Sequence, residues 1–221
     1  MPIYPDKDTS IERLLEGIHE GEFVIPLFQR NFEWAPNQVK DLLTSIISNY
    51  FSGLLLFWEY DHNKISKEEL QPLWGTTQRD RSNFAILDGQ QRLSSLYYAL
   101  YNPNTPFPNK QSYYLFFLDI HKALEGNYDD SIIYTYSSTH TPTNVLKEKM
   151  DEYIKKNIFP LALLSDVYFR ENNLHAWVKG YAKNIVSKNN ASSQLPSEAH
   201  DDAIMDAREE ISNLLSGILL Y

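Results

Sequence analysis

The chain switches from a strand pattern to a helix pattern twice, and each switch carries the same polar pair. "FVIP" (residues 23–26) is a short apolar run closed by proline. "LFQRNFEW" then leads to Pro36, well placed for a first helical turn, and to a stripe of Val39, Leu42, Leu43, Ile46 and Ile47. "FAIL" (residues 84–87) is again an apolar run of strand length. It is followed by "DGQQR" and by Leu93, Leu96, Tyr97 and Leu100 at i, i+3, i+4 and i+7. Two strand-to-helix junctions, one with Gln29 and Arg30 and one with Gln91 and Arg92, require a mixed fold in which short strands feed packed helices.

The remaining patterning extends that architecture. Thr9 and Glu12 have capping-box spacing around Ile11, Leu14, Leu15 and Ile18, which predicts a first short helix ended between Gly17 and Gly21. "GLLLFWEY" (residues 53–60) reads as a buried strand and residues 61–83 as a polar excursion. The prolines of "NPNTPFPN" stop the third helix, because proline removes a donor and fixes φ. "YYLFFLDI" (113–120) and "SIIYTYSS" (131–138) read as neighbouring strands. A helix over about residues 144–156 follows, then "IFPLALLS", a helix holding Trp177 and a polar loop over residues 187–196. Ser197 caps a last helix with the stripe Ile204, Ile211, Leu214, Leu215 and Ile218. The expected fold class is α+β: a core of short strands with packed helices over residues 1–140, then a helical region over 141–221. Since the last helix runs into the apolar "LLSGILLY", the chain is expected to be an N-terminal piece of a longer protein, cut before the end of its domain.

Composition narrows the function classes. Hydrophobic residues are 43% of the 221, enough for a sizeable core. A net charge of -9 excludes the electrostatic footprint of a non-specific nucleic-acid binder, but leaves room for one small basic pocket. The absence of cysteine excludes disulfides and thiolate metal sites. No apolar run has membrane-spanning length, and "MPIYPDKDTS" lacks the pattern of a signal peptide, so a cytoplasmic location is expected. The six histidines are scattered without an H-x-x-x-H pair, and no protein metal site is assigned. "HDD" (200–202) and "QRDR" (78–81) read as solvated, and the tyrosine-rich "LYYALY" and "YYLFF" as core and sheet faces.

The "DGQQR" stretch supports two readings. Asp88 and Gln91 have capping-box spacing, so Asp88 can cap the helix. The same helix start offers free N–H groups to an anion, and Gly89 permits close approach of a ligand. Arg92 can grip phosphate oxygens, Gln90 and Gln91 can donate to oxygen or position a water, and Asp88 can orient that water or meet a metal ion. Gln29 and Arg30 repeat the chemistry at the first junction, with Phe28, Phe32 and Trp34 as apolar surface.

Taken in order, "IPLFQRNFEW", a helix, "GLLLFWEY" and "ILDGQQRLSSL" resemble the N-terminal domain of GmrSD-type, modification-dependent restriction enzymes, which has a ParB/sulfiredoxin-like core. "FPLALLSD" also fits, and the resemblance covers roughly residues 11–164. It implies a bacterial anti-phage role, with nucleoside triphosphate bound and hydrolysed at "DGQQR". It also implies a DNA nuclease domain, often of His-Asn-His type, in the same or a partner chain. By motif match, Asp88 and Gln91 would be catalytic. Gly89, Gln90, Arg92, Gln29 and Arg30 would bind nucleotide phosphates, with Mg²⁺ accompanying them. No region here resembles the nuclease, and the family's later "F-x-R-x-N-x-x-G"-like segment is not found. An alternative is a non-catalytic sensor of modified DNA that uses the same Gln/Arg pocket for backbone phosphate. A third is a fragment that stays inactive without its remaining part.

Overall fold

A computed structural model describes residues 9–61, 63–76, 82, 84–108, 110–164, 173–190, 205–206, 209–211 and 213–215. Helix α1 (Ile11–His19) is capped by Ser10, whose hydroxyl accepts from Arg13 N at 3.3 Å, one residue after the predicted Thr9. It buries Ile11, Leu14, Leu15 and Ile18, as its spacing requires. Strand β1 (Phe23–Pro26) is buried throughout. Helix α2 (Pro36–Ile47) starts on its proline and buries Val39, Leu42, Leu43 and Ile46.

The first sheet adds β2 (Leu56–Glu59), β3 (Leu70–Pro72) and β4 (Phe84–Asp88) in the order β2-β4-β1-β3. β1 and β4 are parallel, with Phe23 opposite Phe84 and Val24 opposite Ala85. Both strands therefore end on the same side of the sheet, and the two Gln-Arg junctions emerge side by side. From β4 the chain enters α3 (Gln90–Leu96), which continues as a π-helical turn over Tyr97–Tyr101.

Two expectations are corrected in this sheet. The segment 53–60 is not a buried strand: only Leu56–Glu59 is extended, and it is an edge strand with Leu54, Leu56 and Trp58 exposed. An edge strand has one neighbour, so only Phe57 turns inward here, onto Phe23 at 5.3 Å. The polar excursion 61–83 also contains β3, three residues that pair antiparallel with β1 from Val24–Pro72 to Pro26–Leu70. A strand this short has no periodicity to read.

The second sheet has the order β6-β5-β7, all antiparallel, from β5 (Tyr113–Asp119), β6 (Ile132–Ser137) and β7 (Ile158–Pro160). A short α4 (Ile120–Leu124), not anticipated, is capped by Asp119, which accepts from Lys122 N at 3.2 Å. Helix α5 (Pro142–Lys155) starts on Pro142, two residues before the expected position. A buried 3₁₀ turn (Leu161–Leu164) is followed by α6 (Asn173–Asn190), which buries Trp177. The Trp177 indole N–H donates to Ile158 O at 3.2 Å and its ring meets Phe159 edge-on. Residues 187–190, expected in a loop, extend α6, while 191–196 and Ser197 lie outside the described residues. Of the last helix, residues 205–206, 209–211 and 213–215 are helical, with Ile211 and Leu215 buried. The fold is mixed α+β as expected. One apolar core joins Ile11 to Leu215 across position 140. Among the described residues no helix is long and apolar enough to cross a membrane.

Candidate functional site

Gln29, Arg30, Asp88, Gly89, Gln90, Gln91 and Arg92 all line one cavity of about 310 Å³, together with Trp34 and Leu87. The cavity opens beyond the carboxyl ends of the parallel strands β1 and β4, where open sheets with following helices commonly bind ligands.

Asp88 does not cap α3, contrary to the capping-box reading. It remains in β4, opposite Leu56, and Gly89 is the N-cap residue at φ +94° with no side-chain cap bond. Only a residue without a side chain makes this turn freely, and a Cβ on Gly89 would also collide with Leu55 Cδ2. The Asp88 carboxylate is thereby free to project outward, 70% exposed, and accepts from Arg92 Nη2 at 3.1 Å. The first intrahelical bond runs from Leu93 N to Gly89 O at 2.9 Å, so the N–H groups of residues 90–92 precede the helical ladder and face the cavity end.

Gln91 is buried, and its amide grips the loop between β1 and α2. Its Oε1 accepts from Glu33 N at 2.9 Å and Trp34 N at 3.3 Å, and its Nε2 donates to Asn31 O at 2.9 Å. It forms no capping box with Asp88. Gln29 Nε2 donates to Ile86 O and ties the two junctions together. Arg92, 17% exposed, donates from Nη1 to Ser52 O at 2.9 Å and from Nη2 to Leu54 O at 2.5 Å, besides its pair with Asp88. Three of its five N–H groups are thus engaged. Arg30 is the more open cation, two-thirds exposed and 3.6 Å from Glu33.

Gln90 differs from its neighbours. It is only 6% exposed, it lines the cavity, and no described residue hydrogen-bonds to its side-chain amide. The buried side-chain N and O atoms left unpartnered among the described residues are on Thr44, Ser94, Asn102 and Thr105, so the Gln90 amide itself meets the solvent of the cavity. A ligand with oxygen acceptors in the cavity would satisfy it.

The segment behind Arg92 was not anticipated from local patterning. Gly53, at φ +100°, packs so closely that a Cβ there would collide with the guanidinium. A glycine just before an apolar run was the one available signal. Asp88 is the single carboxylate lining the cavity, and no group of three metal-ligating side chains occurs among the described residues. One carboxylate suits a Mg²⁺ ion that arrives held by phosphates, rather than a resident metal. "QRDR" and "HDD" lie outside the described residues.

A family model described as the GmrSD restriction endonuclease N-terminal domain matches residues 11–212. The chain is also 34% identical over 165 residues to an uncharacterized protein of Methanocaldococcus jannaschii. That alignment covers 69% of this chain and 28% of the archaeal protein, so the chain spans less than a third of this relative's length.

Proposed function

The chain belongs to the GmrSD restriction endonuclease N-terminal domain family, and from that premise we propose that it is a nucleotide-responsive control domain of a restriction protein. It binds a nucleoside triphosphate in the cavity at the two junctions, hydrolyses it, and by doing so controls a DNA nuclease unit. The observation that carries this reading is Gln90: a largely enclosed side chain whose amide opens into the cavity beside helix-start N–H groups and two arginines, which together suit phosphate oxygens.

The roles follow from what each side chain has left to offer. Arg30, paired only with the exposed Glu33 among the described residues, swings to the outer phosphate. Gln90 and the N–H groups of the α3 start hold the inner ones. Arg92 places its remaining N–H groups along the cavity wall. Asp88 takes a proton from water as the water oxygen attacks the terminal phosphorus, and the bond to the bridging oxygen breaks to release the diphosphate. Gln91 acts through the loop it grips and is a positioning residue. Mg²⁺ bound to the triphosphate would neutralise charge and meet Asp88.

Calorimetric titration with each nucleoside triphosphate, with and without Mg²⁺, tests the binding step. Heat with at least one nucleotide, lost in Gln90→Ala, is the expected result. Absence of heat with all of them in the native chain would sink it. The alternative, a DNA sensor using the cavity for backbone phosphate, draws on the exposure of Phe28 and of the cavity-lining Arg30. Salt-dependent DNA affinity without any nucleotide response would favour it.

A further inference from the structure

A second cleft lies away from the junctions, between the β5–β6 face and α5. It has a volume of about 240 Å³, smaller than the usual 300–1,000 Å³ of drug-sized sites and suited to one small ring system. Its floor is Leu115, with Val145 from α5 beside it. Strand register puts Tyr113 opposite Ser137 and Leu115 opposite Thr135, so these four side chains share one face by alternation. Tyr153 of α5 packs its ring 4.8 Å from Phe117, two positions further along that face. The rings of Tyr113 and Tyr153 therefore bracket Leu115 from opposite ends. His140, Glu148 and Lys149 stand at the exposed mouth.

The polar groups around this apolar floor are largely unused. No described residue hydrogen-bonds to the phenols of Tyr113 or Tyr153, to the Thr135 hydroxyl or to the Lys149 ammonium. The His140 ring is engaged at Nδ1, 2.8 Å from Thr139 Oγ1, and its Nε2 remains available. The Tyr153 phenol is a donor at neutral pH, as tyrosine ordinarily is, and burial, with a smaller contribution from Glu152, raises its pKa further. Aromatic walls with both donors and acceptors fit a planar heterocycle with a polar edge. Glu148 can accept from an exocyclic amino group, and Lys149 with His140 can meet the phosphate attached to such a ring.

We propose that this cleft is a nucleobase site that takes one nucleotide unit, with the base between Tyr113 and Tyr153 and its phosphate at Lys149 and His140. Stacking on aromatic side chains would let a chain of net charge -9 hold a nucleotide beside the single lysine of the cleft, Lys149. The inference is independent of the junction cavity, since no residue lines both clefts.

The test uses the 221-residue chain, fluorescein-labelled six-nucleotide single strands of thymine or adenine, and the free monophosphates UMP and AMP. Anisotropy reads the strands, and saturation-transfer NMR reads the monophosphates. Binding of either source, weakened at least tenfold by Tyr113→Leu and by Lys149→Glu, is the expected result. Strand binding without monophosphate binding assigns the base to a nucleic acid, and the reverse assigns it to a free nucleotide. No binding of any probe at millimolar concentration overturns the proposal. So does binding that neither Tyr113→Leu nor Lys149→Glu weakens, since it would lie elsewhere on the chain. Lys149 is exposed and makes no ion pair among the described residues, so its variant keeps the fold and the test remains decisive.

Discussion

Arg92, in the first turn of α3, reaches back to Asp88 at the end of β4 at 3.1 Å, while the same guanidinium donates to the carbonyls of Ser52 and Leu54. One side chain thus holds together the end of β4, the start of α3 and the approach to β2. We predict that Arg92→Lys, which keeps the charge and loses the planar fork, destabilises the domain by about 1–3 kcal/mol. Urea unfolding should show a lower midpoint with an unchanged slope.

Asp88 projects away from the core, and an exposed ion pair contributes little to stability. Asp88→Asn should leave the unfolding midpoint within about 1 kcal/mol of native. Phosphate release in the proposed hydrolysis should fall roughly 100-fold or more, the range for loss of a general base. Unchanged turnover in this variant would remove Asp88 from the reaction.

Gln91→Glu isolates the loop grip. The carboxylate still accepts from Glu33 N and Trp34 N, but it cannot donate to Asn31 O and sets a negative charge against that carbonyl. A loss of about 2–4 kcal/mol is expected for a buried charge facing an unpaired acceptor. Limited proteolysis should show cleavage near residues 31–34 before global unfolding.

Gly89→Ala meets two obstacles at once, a φ of +94° and the Leu55 side chain. It should destabilise by about 2 kcal/mol or more. Adding Leu55→Ala removes the collision and leaves the backbone strain. A double-mutant cycle should therefore give coupling of about 1 kcal/mol with part of the loss retained.

Tyr98 and Tyr181 predict alkaline sensitivity. Burial raises both pKa values, that of Tyr181 to about 12, with Glu210 adding to the effect. In the unfolded chain a tyrosine ionises near pH 10. Since the folded state keeps these protons longer, stability is level below pH 10 and falls as pH rises from there towards 12. Tyr98→Phe should flatten this fall. It should also cost about 1–2 kcal/mol at neutral pH, because Tyr114 N then loses its acceptor at 2.9 Å. Urea midpoints measured between pH 8 and 11 check both effects.

Where a short apolar run met a helix stop or start signal, the sequence was readable. Phe23–Pro26 before Pro36, and Phe84 before the stripe from Leu93, marked β1, α2, β4 and α3. The gathering of both Gln-Arg pairs in one cavity was not readable. It depends on β1 and β4 pairing in parallel across about 60 residues of chain, and no local pattern encodes a partner. The capping role given to Asp88 failed for a related reason. Its spacing to Gln91 suits a capping box, but pairing with Leu56 keeps Asp88 in the strand, and Gly89 makes the turn. Gln91 looked like a residue for ligand or water because its partners, Glu33 and Trp34, lie 58 and 57 positions away.

Three consecutive side chains at the start of α3 serve three different places: Gln90 the cavity, Gln91 the 31–34 loop, and Arg92 the carbonyls of 52 and 54. A single turn of helix cannot rotate for one of them without displacing the other two. Occupancy of the cavity is therefore geared to both loops, and their backbone amides should exchange with solvent as one cooperative unit, slowing together when the cavity fills.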